Sequence, residues 1–280
     1  MKVDLSGKVA VVTGGGGLLC SCFSEELARN GASIAVLDLN EEAARATADK
    51  INGNGGRAIA VACNVLEYDS VKAAEERVRA EFGQYHILIN GAGGSPAWAS
   101  TEETAAPGDT ECTFAQKQAL FNLPAESMAK VMDINFLGSY ITTQVFSAHM
   151  MNVPGACIIN MSSMSALSPL SKQPAYSTSK AALTSFTLWC AKYLADVGIR
   201  VNAIAPGFFA TNINRHLLFD AQGNLTKRSE KIIAGTPMNR FGQPEELLGA
   251  LLFLCDETAS GFVTGAVIPV DGGFSAYCGV

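Results

Sequence analysis

Apolar residues run along this chain in short unbroken blocks, not in strict alternation with polar ones. Lys8–Thr13 (KVAVVT), Ser33–Asp38 (SIAVLD), Arg57–Cys63, His86–Asn90 (HILIN), Ala156–Met161 (ACIINM), Arg200–Ala205 and Ala266–Val270 each read as a strand apolar on both sides. The stretches between them carry helical spacing: Phe23–Asn30, Glu41–Ile51, Tyr68–Phe82, Ala125–Met151, Tyr176–Val197 and Pro244–Cys255. Strands buried on both faces and separated by helices predict an α/β architecture. About seven strands form a doubly wound parallel sheet, with helices on both faces. No internal repeat or linker interrupts residues 1–280, which predicts a single domain. Ligands of such sheets bind beyond the carboxyl ends of the strands, where the strand order reverses.

Two segments break the rhythm. Residues 94–124 read as an insertion, with Pro96, Pro107, Gly108 and Pro124, and residues 212–236 read as a lid after a Pro-Gly turn. Long irregular segments in a compact α/β domain are commonly lids or interfaces.

Composition narrows the function classes. With 48% apolar and 16% charged residues, a net charge of −6 and no basic run, nucleic acid is not the expected partner. No apolar run is long enough for a transmembrane helix, and the N-terminus lacks a signal-peptide core, so a cytoplasmic protein without a membrane partner is expected. The eight cysteines are scattered and none joins a histidine at zinc spacing, so no metal site is expected and the thiols should be reduced and mostly buried.

The first strand ends in Thr13-Gly14-Gly15-Gly16-Gly17 and leads into a helix. Glycines there permit a tight turn and let backbone approach a pyrophosphate, which the helix N-terminus favours. Asp38 closes the second strand. A carboxylate there accepts hydrogen bonds from the adenosine ribose hydroxyls and repels a 2′-phosphate, and neither Leu39 nor Asn40 offers that phosphate a cation. The expected cofactor is therefore NAD rather than NADP.

Tyr176 and Lys180 lie four apart, one helical turn from each other, and Ser163 precedes Tyr176 by thirteen residues. An ammonium beside a phenol is expected to lower a pKa of about 10, tuning Tyr176 for proton exchange with an alcohol or carbonyl oxygen. Ser163 could hydrogen-bond the same oxygen. A Tyr-x-x-x-Lys pair is weak evidence by itself; the glycine run and Asp38 make it specific.

With these residues goes a wider set: Asn90-Gly91-Ala92-Gly93, Asn135, Pro206-Gly207 followed by Thr211, and Asp271-Gly272-Gly273. Their order and spacing resemble the short-chain dehydrogenase/reductases over essentially the whole chain. That resemblance implies a Rossmann-type fold, hydride transfer to or from a nicotinamide cofactor, and a homotetramer packed through Ala125–Met151, Tyr176–Val197 and the C-terminal strand. It implies that Tyr176 is the general acid or base and that Lys180 lowers its pKa and holds the nicotinamide ribose. Ser163 would bind the reacting oxygen, and Asn135 would support a proton relay. Asn90, Ala92 and Gly93 would line the adenosine side, Asn64 and Val65 the adenine, and Pro206, Gly207 and Thr211 the nicotinamide amide. Asp271-Gly272-Gly273 and Arg240 are expected to be structural.

Two departures stand out. Leu18 and Cys20 occupy the places of two further family glycines, flanking Leu19, and Asn64 replaces a common Asp. The turn must then be reshaped around Gly15, Gly16 and Gly17, or dinucleotide binding is weakened. That keeps open a non-catalytic dinucleotide sensor. The strings GGGGLLCSCFSEELA and VIPVDGGFSAYCGV are most similar to sugar-acid oxidoreductases of the family. Other reductases of polar carbonyls, a gluconate or keto-sugar-acid dehydrogenase among them, are the alternatives, and a 3-oxoacyl reductase fits Asp38 poorly. A sugar acid needs a cation for its carboxylate and polar partners for its hydroxyls. Arg215 is the first candidate cation, Lys172 the second, and Asn212 a hydroxyl partner.

Overall fold

Seven strands pair in parallel throughout, in the order 3-2-1-4-5-6-7. They are β1 (Val9–Thr13), β2 (Ser33–Asp38), β3 (Arg57–Ala62), β4 (Ile87–Asn90), β5 (Cys157–Met161), β6 (Arg200–Pro206) and β7 (Val267–Val270). The computed structural model describes residues 3–102, 118–210, 218–220 and 222–277. The chain direction of assembly reverses between β1 and β4, which pair with Thr13 opposite Asn90. The carboxyl ends of these two strands therefore frame a crevice at the switch point.

The unbroken apolar runs are explained by two helical layers. In β1, Ala10 and Val12 face one layer with Phe23, Leu27 and Leu251, while Val9 and Val11 face the other with Val71, Val78 and Phe146. α1 (Leu18–Arg29), α2 (Glu41–Gly53) and α8 (Leu248–Cys255) cover the first face. α3 (Tyr68–Phe82), α5 (Gly138–Ser147) and α6 (Pro174–Tyr193) cover the second. Each strand residue thus buries its side chain whichever way it points, and no polar alternation is required.

Three expected helices differ in detail. The long helix begins as α4 (Ala125–Met132), passes through a π-helical turn at Asp133–Leu137, and continues as α5. The last helix opens with a 3-10 turn at Pro244–Leu247, and α6 ends at Tyr193 before a separate 3-10 turn at Ala195–Val197. Of the expected lid, residues 211–217 lie outside the described residues, and its later part is α7 (Lys227–Ala234), capped by the Thr226 hydroxyl, which accepts from Ser229 N at 3.3 Å. The insertion is described up to residue 102 and again from 118. A 3-10 turn at Ala97–Ala99 and a bond from Thr101 N to Lys172 O (2.8 Å) tie its first part to the segment before α6. Among the described residues no helix is long and apolar enough to cross a membrane.

Candidate active site

Pro174 at the first turn of α6 starts a helix that carries Tyr176 and Lys180 against the end of β5. Ser163 follows β5 and caps a 3-10 turn, its hydroxyl accepting from Ser165 N at 3.2 Å. The residue expected to bind the reacting oxygen is thus also the one that caps this turn. Ser163 and Tyr176 line a cavity of about 290 Å³ together with Leu19, Gly207 and Phe209, a size suited to a small molecule.

Lys180 is buried and donates from Nζ to Met161 O at 2.7 Å, with Nζ 5.7 Å from the centre of the Tyr176 ring. Removal from water pushes its pKa down to about 8. Burial also raises the Tyr176 phenol above its ordinary value, an effect the neighbouring Ser163 hydroxyl partly offsets. This corrects the expectation that Lys180 lowers Tyr176. The lysine's charge is itself destabilised by burial, and its nearest polar partner is a main-chain carbonyl.

Asn135 sits in the π turn, fully buried. Its Nδ2 donates to Gly94 O (2.8 Å) and Val131 O (3.1 Å), and its Oδ1 accepts from Gly94 N (2.9 Å). Both amide protons are committed. The side chain therefore fixes the Gly93–Gly94 loop and has no proton left for a relay. Gly93 lies beside Asn135 and Lys180 rather than on the expected adenosine side: a Cβ there would lie 2.4 Å from Asn135 Oδ1 and 3.4 Å from Lys180 Nζ.

Two further expectations change in the same way. Asn90 is buried, donating to Thr143 Oγ1 (2.9 Å) and Asn160 Oδ1 (2.8 Å) and accepting from Thr142 Oγ1 (2.6 Å). It cross-links β4, β5 and α5 and does not line the crevice. The Thr13 hydroxyl, also buried, donates to Ile89 O (3.3 Å) and accepts from Gly91 N (3.1 Å) and Ala92 N (3.3 Å), so it holds the β4 loop to β1. Asn64 uses its amide locally, donating to Glu67 and accepting from Leu66 N, while buried Val65 packs against Gly138.

The glycine turn fits a dinucleotide in spite of Leu18 and Cys20. Gly14 adopts φ +64° beside Ala92, and a Cβ on Gly15 or Gly16 would lie 2.6 Å from Val36 or 2.5 Å from Ala43. Gly17 opens α1 without a side-chain cap, and no acid occupies the first turn. That helix terminus is suited to an anion. Asp38 stands beside it, its two oxygens accepting from Gly16 N (3.0 Å) and Asn40 N (2.9 Å). A carboxylate oxygen has a second lone pair for a ribose hydroxyl. Cys20 is accommodated by its neighbour: a Cβ on Gly91 would come within 2.2 Å of Cys20 Sγ. The thiol fills the space that the bare Gly91 leaves, and burial pushes its pKa up to about 12.

The family profile described as enoyl-(acyl carrier protein) reductase matches residues 20–275. The chain belongs to the short-chain dehydrogenase/reductase family. An uncharacterized oxidoreductase of Bacillus subtilis, UxuB, is 48% identical over 99% of this chain and 98% of its own. A crystal structure from Haemophilus influenzae, whose assignment as a D-mannonate oxidoreductase is itself provisional, holds NAD. It is 50% identical, covers 99% of this chain and 98% of that one, and superposes with a TM-score of 0.94. A gluconate 5-dehydrogenase from Burkholderia cenocepacia, in complex with NADP and tartrate, is 30% identical, with coverage of 99% and 98% and a TM-score of 0.82.

Not every candidate of this dehydrogenase joins the site. Pro206 ends β6 and Gly207 reaches the cavity, where a Cβ would strike Asp271 at 2.6 Å. The Asp271 carboxylate accepts from Gly273 N and Ser275 N, a structural turn, and Arg240 is paired with Glu246 through two bonds of 2.7 and 2.6 Å. Thr211, Asn212 and Arg215 lie outside the described residues. Lys172 donates to Glu102 O and does not line the cavity. Three polar lining residues escaped the sequence reading: Ser95, Gln173 and Arg228. Arg228 lies in LTKRSEK, which reads as the solvated face of a short helix; only the folded chain brings it to the cavity that Tyr176 also lines. Among the described residues no cluster of His, Cys, Asp or Glu is placed to hold a metal ion.

Proposed function

We propose that this dehydrogenase uses NAD to interconvert a sugar-acid alcohol and its ketone, with D-mannonate and D-fructuronate as the substrate pair. The observation that carries the reading is Ser163 and Tyr176 side by side in the cavity lining, with the buried Lys180 ammonium 5.7 Å from the centre of the Tyr176 ring. Asp38 beside the helix terminus supports NAD over NADP, as does the NAD held by the relative that is 50% identical.

In the reducing direction, Tyr176 donates its phenolic proton to the carbonyl oxygen as that oxygen gains charge. Ser163 donates a hydrogen bond to the same atom. The phenol carries its proton at neutral pH; burial makes it a weaker donor, and the Ser163 hydroxyl partly offsets that effect. Lys180 keeps a cation next to the phenolate that results, and Asn135 acts as a positioning residue for the Gly93–Gly94 wall. Gly14 to Leu19 and Asp38 would hold NAD, which supplies the hydride chemistry when bound. Thr211 remains the candidate partner of the nicotinamide amide. In the oxidising direction the same proton path runs backwards.

The test is Tyr176→Phe. Loss of the proton donor should lower kcat by roughly 10²–10⁴-fold, with NADH affinity by fluorescence nearly intact. Turnover close to wild type in that variant contradicts the assignment.

The same reading includes a homotetramer. On α6 the rings of Phe186, Trp189 and Tyr193 stack in a row, and Trp189 and Tyr193 are 55% and 68% exposed. An exposed ring ladder of this kind suits a subunit interface. Mass photometry giving a monomer at micromolar concentration removes the tetramer without touching the chemistry. A cytoplasmic location completes the proposal.

A further inference from the structure

Arg228 is the one charged side chain among the described residues that line the reaction cavity. It makes no ion pair or hydrogen bond with them. Arg240, which lines the neighbouring pocket with Asp271, is engaged by Glu246. The walls around Arg228 are largely apolar, including Phe208, Leu218 and Ile232, the last on the same helix as Arg228. Arg228 is itself exposed to solvent, and its planar fork matches a carboxylate in two parallel hydrogen bonds. Ser95 and Gln173 add neutral polar side chains to the lining.

We infer that Arg228 binds the carboxylate of a hydroxy or keto acid whose reacting carbon lies at Ser163 and Tyr176, and so sets the enzyme's preference for acids over neutral sugars. The inference rests on the oxidoreductase reading of that site. It assigns to Arg228 the part for which Arg215 and then Lys172 are the candidates by sequence. Since α7 carries Arg228 and its Thr226 cap holds the first turn, the cation stands on a defined helix.

Two variants test it, Arg228→Gln, which keeps length and polarity, and Arg228→Lys, which keeps charge without the fork. NADH oxidation is followed with D-fructuronate and with D-fructose, its neutral counterpart. Loss of a charge-assisted pair predicts a KM for the acid raised about ten- to a hundred-fold in the glutamine variant, with a smaller change in kcat. The acid-to-neutral ratio of kcat/KM falls by a similar factor, and the lysine variant recovers part of it. An unchanged ratio, or equal losses on acid and ketose, overturns the assignment while leaving the oxidoreductase reading in place. Should the wild-type enzyme reduce no keto acid, the substrate reading fails, and Arg228 is decided separately by calorimetric titration of the NAD complex with tartrate. Tartrate binding lost in Arg228→Gln supports the anion site. Tartrate binding equal in both proteins, or absent from both, overturns it.

Discussion

Cys20 and Gly91 are interlocked across the crevice, and the interlock has a measurable size. Adding a methyl group at Gly91 puts its Cβ 2.2 Å from Cys20 Sγ and 2.8 Å from Thr13 O. The oxygen is backbone in β1 and cannot retreat without disturbing the sheet, while the thiol sits buried in α1. Overpacking of a filled core costs typically 1–3 kcal/mol, and two close contacts put Gly91→Ala near the top, about 3 kcal/mol. For a chain of this length that is a fall in Tm of roughly 6–12 °C. Cys20→Ala removes only the sulfur, a loss of about 1 kcal/mol. In the double variant the sulfur contact is gone and the Thr13 contact remains, so recovery should be partial, with a coupling of about 1–2 kcal/mol. Reversible urea or thermal unfolding of the four proteins without cofactor measures it. Strictly additive losses, or a Gly91→Ala variant as stable as wild type because the thiol turns aside, would refute the claim that this pair replaces the usual glycine contact.

Other consequences concern charge. Burial holds Lys180 down to about 8, below the ordinary lysine value of about 10.4, so folding carries the full cost of burying the ammonium below pH 8. That cost is relieved as pH rises from about 8 towards 10.4, where the unfolded chain binds more protons than the folded one. The stability of wild type relative to Lys180→Met should therefore rise across that window by up to about 3 kcal/mol; a difference flat with pH in chemical denaturation contradicts a depressed Lys180. Asp38→Ala removes the carboxylate that repels a 2′-phosphate, so the NADH-to-NADPH ratio of kcat/KM should fall at least about ten-fold. An unchanged ratio would take cofactor choice away from Asp38.

Much of this was legible in the chain, because the deciding patterns are local. Blocks such as VAVVT and CIINM can only be strands covered on both sides, and Tyr176 with Lys180 share a helix face by spacing alone. What stayed hidden depends on direction or on partners distant in sequence. A strand buried on both faces does not reveal which way Asn90 points, so its interior cross-link to Thr142, Thr143 and Asn160 is hidden behind the cofactor contact that the resemblance implies. The direction of the Thr13 hydroxyl, which turns to the neighbouring strand's loop, is hidden for the same reason. The π turn around Asn135 leaves the apolar spacing of the helix intact while shifting its hydrogen bonds, so periodicity gives no sign of it. Cys20 by sequence leaves either a reshaped turn or weakened cofactor binding, because Gly91, whose bare backbone makes room for the thiol, is distant in the chain. Arg228 had no signal at all, since a charged residue on a short amphipathic helix is what a solvated face also requires.

The most direct test of the account is NADH oxidation by the wild-type enzyme with D-fructuronate, set beside 5-keto-gluconate, an acetoacetyl thioester and an NADPH control. The account predicts NADH-dependent turnover of fructuronate well above that of the thioester and well above the NADPH rate. NADH binding with no turnover of any carbonyl would contradict it and favour a dinucleotide sensor built on this fold.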